Sequence, residues 1–150
     1  MTYTRSDRYH YDLEWGKDIE KKYAELYAGK KVEIKAERGK WINTGNIFVE
    51  FVRLEHKDGN VIEYPSGIAT TEAEHWVQVL TTDDKHLFGA IDIKVSHLKE
   101  IIEKRMDSDK PLEVKGGLEG SRGYLIPLAE IFADLAQIAD THRNEGGENV

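Results

Sequence analysis

Apolar and charged residues alternate along Val32-Glu33-Ile34-Lys35-Ala36-Glu37, the period of two expected of a strand with one face on a core and the other charged. A second run has the same period: Ile47, Val49 and Phe51 alternate with Asn46, Phe48 and Glu50, and residues 39–43 read as the connecting loop. Folding the two runs back as a hairpin sets Glu33 opposite Glu50 and Glu37 opposite Asn46, with Lys35 on the same face. Upstream, residues 17–28 predict a helix. Ile19, Tyr23, Leu26 and Tyr27 share one face, Asp18 sits in the first turn and Gly29 is a natural stop. Glu20 lies at the edge of that apolar face. Residues 1–15, with Tyr3, Tyr9, Tyr11 and Trp15, read as an ordered arm on the core.

Downstream, Lys57-Asp58-Gly59-Asn60 is a turn signal and Val61 to Tyr64 a third strand, broken by Pro65-Ser66-Gly67. Thr70 to Trp76 reads as a capped turn or short helix leading into Val77 to Leu80, with Trp76 in the core. His86 to Ile93 is a further strand. Ser96 caps a helix from His97 to Met106 whose Leu98, Ile101 and Ile102 point inward. Residues 107–123 read as loop, apart from a short edge strand at Glu113-Val114-Lys115. Pro127 opens a last helix with a core stripe of Leu128, Ile131, Phe132, Leu135 and Ile138. The pattern predicts an α/β (mixed α+β) fold in one domain over residues 1–140. Residues 141–150 form a polar, frayed tail.

At 150 residues the chain is long enough to bury a real core. It has no cysteine, which removes disulfides and thiolate metal sites. No apolar run approaches a membrane span, and the first residues lack the apolar core of a signal peptide. A cytoplasmic protein without membrane contact is the expectation. The net charge of −7 argues against a protein that coats DNA regardless of sequence. It leaves room for a nuclease, because carboxylates that hold Mg²⁺ count toward the net charge and the ion reverses the local field. Lys30, Lys31, Lys35, Arg38 and Lys40 would line a basic groove; as solvated edge protection they are equally well explained.

Like charges directly opposed across a sheet destabilise it. Glu33 facing Glu50 beside Lys35 therefore points to a bound divalent cation. Phosphodiester hydrolysis with Mg²⁺ needs such carboxylates and a group that stabilises developing charge. Glu33-Ile34-Lys35 puts both side chains on one face, about 7 Å apart by strand rise.

The order of helix-borne Glu20, Val-Glu-Ile-Lys at 32–35, Thr-Gly-Asn-Ile-Phe-Val-Glu at 44–50 and Pro-Ser-Gly-Ile-Ala-Thr-Thr-Glu-Ala-Glu-His-Trp at 65–76 resembles small phage-type proteins of the PD-(D/E)XK nuclease superfamily. That superfamily includes restriction endonucleases and Holliday-junction resolvases. The resemblance covers roughly residues 16–80, with weaker similarity through Gly116 to Pro127. It implies a restriction-endonuclease-like fold with a central mixed sheet flanked by helices, Mg²⁺- or Mn²⁺-dependent cleavage of DNA, a homodimer in many members, and the host cytoplasm if the chain is phage-encoded. An acidic residue on the strand before Glu-x-Lys, usual in the motif, is missing here. Either Glu50 or Glu20 would replace it. The favoured assignment has Glu33 and Glu50 as metal ligands, Glu20 as an accessory ligand, and Lys35 positioning the water or the scissile phosphate. Glu37 reads as a solvated strand-end carboxylate. The alternative to an enzyme is a catalytically inactive nuclease-fold module that binds nucleic acid or a protein partner.

Other motifs carry less. Glu113-Val114-Lys115 after Asp107 and Asp109 imitates the motif with too little room for a strand and its return. Thr70, Thr71 and Glu72 suit a helix cap better than a phosphate contact. The glycines at 116, 117, 120 and 123 match neither a Walker loop nor a dinucleotide fingerprint, and Ser66 lacks a nucleophile-elbow context. His10, His56, His75, His86, His97 and His142 include no close pair at metal-ligand spacing along the chain, so no zinc site is expected.

Overall fold

The computed structural model describes residues 5–29, 31–83, 86–116 and 120–146. Among these the order of elements is α1 (Arg5–Leu26), β1 (Val32–Glu37), α2 (Lys40–Thr44), β2 (Asn46–Lys57), β3 (Asn60–Pro65), a 3-10 turn (Gly67–Ala69), β4 (His75–Thr81), β5 (Leu87–Lys94), α3 (Val95–Met106), β6 (Glu113–Lys115), β7 (Gly120–Pro127) and α4 (Leu128–Gly146). The expected mixture of helix and strand is present, but the strands divide between two sheets. One is mixed, ordered β1-β4-β5; the other is antiparallel, ordered β3-β2-β7-β6.

β4 explains the division. Residues 76–81 are buried without interruption, the signature of a strand covered on both faces. Val77 and Val79 join Ile19 and Ile34 in a small core under α1, packed by Trp15, Tyr23 and Tyr27. Trp76 and Leu80 point the other way, into the main core with Ile47, Val49, Ile93, Leu98, Ile126 and Ile131. A strand so placed needs neighbours at both edges. It takes β5 antiparallel and β1 parallel.

The hairpin expected of β1 and β2 is therefore not formed. β1 pairs with β4 in the register Glu33↔Trp76, Lys35↔Gln78 and Glu37↔Leu80. β2 turns back at Asp58 (φ +53°) and Gly59 (φ +79°) onto β3, the backbone that a two-residue hairpin favours. The segment 39–43, expected as loop, contributes to the short helix α2, closed by Gly45 at φ +69°.

Further boundaries differ from expectation. α1 begins at Arg5, so the expected arm is largely the start of the helix, while Tyr3 lies outside the described residues. A 3-10 turn takes the place of the helix near Thr70, and β4 starts at His75. α3 starts at Val95 with Lys94 at the cap position, so Ser96 lies in the first turn and caps nothing. Residues 120–123, expected as loop, belong to β7. A Cβ on Gly123 would stand 2.7 Å from the Phe48 ring and 2.6 Å from the Val49 carbonyl oxygen, so this glycine marks close approach within a sheet. Pro127 closes β7, and α4 runs on to Gly146 through most of the expected tail. No helix among the described residues is long and apolar enough to cross a membrane.

The 3-10 turn ties the chain to β2. Ser66 donates its N–H to the Phe51 carbonyl at 3.0 Å. Gly67, at φ +51°, lies so close that a Cβ would fall 2.2 Å from the Glu50 carbonyl oxygen. Gly67→Ala is expected to lower Tm by about 5 °C or more, from a strained backbone and a clash with main chain together. Thermal unfolding of the variant beside the parent measures it.

Candidate metal centre on the edge of the mixed sheet

β1 is the edge strand of its sheet, and Glu33, Lys35 and Glu37 share the face carrying Trp76, Gln78 and Leu80 of β4. This charged face is turned toward the second sheet, and its members are half-buried. Lys35 Nζ lies 3.1 Å from Glu33 Oε1, with side chains 28 % and 32 % exposed. The Thr71 hydroxyl approaches Glu33 Oε2 at 3.5 Å and accepts the Ala73 N–H at 3.2 Å, so Thr71 serves a turn and not a helix cap.

The charges of Glu20 from α1 and Glu50 from β2 also reach Lys35. Burial works to lower the pKa of the Lys35 ammonium. The fields of Glu33, Glu20 and Glu50, with the Glu33 hydrogen bond, outweigh it and the net shift is upward. The Glu20 carboxyl is pushed up, first by burial and then by Glu33 and Glu50, against the opposing pull of Lys35 and Lys17. The charges of three carboxylates act on one ammonium, which leaves two negative charges in excess (three minus one) when all are ionised. Glu20, Glu33, Lys35 and Glu50 thus form one electrostatic cluster, although the hairpin meant to unite them is absent.

No protein-family model, curated protein or solved structure matches this chain.

Beside Glu20 and Glu33 lies an open hollow of about 350 Å³, with Lys17 and Lys21 at its rim. These two lysines were not among those nominated for a basic groove. Their spacing of four along a helix, bracketing Glu20, is the signal that places them on its side. Of the nominated group, Arg38 lies over the Trp15 ring at 4.6 Å. Lys31 and Lys40 are exposed, and Lys30 lies outside the described residues.

Glu37 differs most from expectation. It is no solvated strand end. Its Oε1 accepts the Phe48 N–H from β2 and, at 3.0 Å, the amide N–H of Gln78. Gln78 is 1 % exposed, and its Oε1 accepts the Trp76 indole N–H at 2.8 Å. Burial pushes the Glu37 carboxyl up to about 7, against the lowering effect of those two donors. One of its donors, the Phe48 N–H, comes from the other sheet; nothing local to β1 announces this.

The rival motif is an exposed edge strand. Glu113, Val114 and Lys115 form β6, paired only with β7. Among the described residues, no three His, Cys, Asp or Glu side chains are arranged to hold a metal ion together.

Proposed function

We propose that the chain is a Mg²⁺- or Mn²⁺-dependent deoxyribonuclease of restriction-endonuclease-like descent, hydrolysing phosphodiester bonds of DNA, branched DNA included. The observation that carries the proposal is the Lys35–Glu33 pair at 3.1 Å, within electrostatic reach of Glu20 on α1 and Glu50 on β2.

The donor set suits the ion. Carboxylate oxygens are hard ligands, and Mg²⁺ is commonly held by one or two of them, with water and substrate phosphate completing its shell. A cation would relieve the repulsion from Glu33 and Glu50 that adds to burial in raising the Glu20 carboxyl. Glu33 and Glu50 would hold it, with Glu20 as the accessory ligand. Bound there, the ion supplies a water of lowered pKa and a Lewis-acid contact to the phosphate. Lys35, steadied by Glu33, stabilises the charge that develops on the phosphoryl oxygens. Lys17 and Lys21 attract the DNA backbone toward the hollow. Symmetric cutting of a branched duplex would engage two copies of the chain.

A second reading is an inactive relative that binds nucleic acid. The pairing of Lys35 with Glu33, and the lack of a three-ligand group among the described residues, favour it. It predicts DNA binding indifferent to Mg²⁺ and to Glu33→Gln.

Thermal unfolding with Mn²⁺ separates the two. At about a hundred times Kd, an ion bound only by the folded state adds about 2.7 kcal/mol, a rise of several degrees in Tm that Glu33→Gln and Glu50→Gln should abolish. An unchanged Tm for the parent speaks for the inactive module.

A further inference from the structure

α3 and α4 lie antiparallel, and polar pairs fix their register. Arg105 donates to both carboxylate oxygens of Asp134, at 2.8 and 2.9 Å, and Lys104 donates to Gln137 Oε1 at 3.0 Å. Asp134 is 4 % exposed, and its carboxyl, though raised by burial, is held below the usual range by Arg105. Two turns along the same seam, His97 of α3 meets His142 of α4 edge to face, with ring centres 5.6 Å apart at 84°. Next to them the seam opens into a hollow of about 180 Å³, lined in part by Glu100, Thr141 and His142. This end of the molecule is distinct from the Lys35 cluster.

We propose that His97 and His142 form a binding site for a late first-row transition-metal ion, with Zn²⁺ as the representative. Two imidazole nitrogens at about 2.1 Å from one ion put the ring centres at about the separation found here, so a change of ring torsion converts the edge-to-face contact into a chelate. The helices need not move, because the Arg105–Asp134 and Lys104–Gln137 pairs already hold them. Imidazole selects Zn²⁺, Cu²⁺ or Ni²⁺ over the hard Mg²⁺. With two protein ligands the ion keeps water in its remaining positions, beside the hollow that Glu100 and Thr141 line. The positive charge nearest the hollow, Lys104, is matched by Asp134 at 3.5 Å. The bound ion clamps α3 to α4.

The test is a ZnCl₂ titration of the full, EDTA-stripped chain, followed by imidazole NMR signals and calorimetry. The expected result is one equivalent of Zn²⁺ that shifts the His97 and His142 signals together, separate from any ion taken up by the carboxylates around Lys35. His97→Asn and His142→Asn should each weaken binding of that equivalent at least tenfold, while His86→Asn leaves it unchanged. MgCl₂ should shift neither imidazole. Both variants are at the surface of a helix seam, and Tm without metal shows that they fold. Undiminished affinity in either histidine variant, or imidazole signals that ignore Zn²⁺, overturns the proposal.

Discussion

Glu37→Gln is expected to raise Tm at pH 8 by about 5 °C or more and to leave it nearly unchanged at pH 5. The carboxyl titrates near 7 in the folded chain against an ordinary 4.5, so the folded state prefers the neutral acid. That preference is fully present below pH 4.5 and is lost as pH rises through about 7. Above that, the ionised group remains buried between the sheets at a cost of about 3 kcal/mol. Glutamine keeps an oxygen for the Phe48 and Gln78 donors and never ionises. The parent should lose stability between pH 5 and pH 8, and the variant should lose less. Glu20, also raised, pulls the parent the same way, so the difference between variant and parent isolates Glu37. A parent and variant with parallel pH profiles would show that Glu37 is not buried as described.

Lys35→Met should reduce metal-dependent cleavage on the order of 10²- to 10³-fold, the usual loss when one stabilising donor is removed from a transition state. The Met side chain keeps the apolar stem, so the fold should survive. Removing the ammonium leaves Glu20, Glu33 and Glu50 without their shared counter-charge. Mn²⁺ should consequently bind the variant at least as tightly as the parent while cleavage collapses. Glu33→Gln should lose both. This divergence, read by calorimetry beside a cleavage assay, separates a charge-stabilising lysine from a metal-holding carboxylate. Equal losses of metal binding in both variants would contradict the roles assigned here.

β1 and the first half of β2, Asn46 to Phe51, were legible from alternation, and the turn from β2 into β3 from Asp58-Gly59. Their partners were not, because a period of two tells which side chains share a face and nothing of which strand lies alongside. β4 decides the pairing: its uninterrupted burial demands two neighbours, and β1 is one of them. β7 was hidden by glycines that resemble a loop in sequence and serve close packing against Phe48. The cluster of Glu20, Glu33, Lys35 and Glu50 was nominated through a hairpin that does not exist, yet β2 still brings Glu50 within electrostatic reach of Lys35. Glu37 was misread because one of its donors, the Phe48 N–H, comes from the other sheet. His97 and His142, far apart along the chain, meet only through the pairing of α3 with α4.

The most direct measurement is cleavage of supercoiled plasmid, linear duplex, single-stranded DNA and a four-way junction by the full chain with Mg²⁺, Mn²⁺ or EDTA. The account predicts cutting with either metal, none in EDTA, and loss of cutting in Glu33→Gln and Lys35→Met. A folded parent that cuts none of these substrates would contradict it.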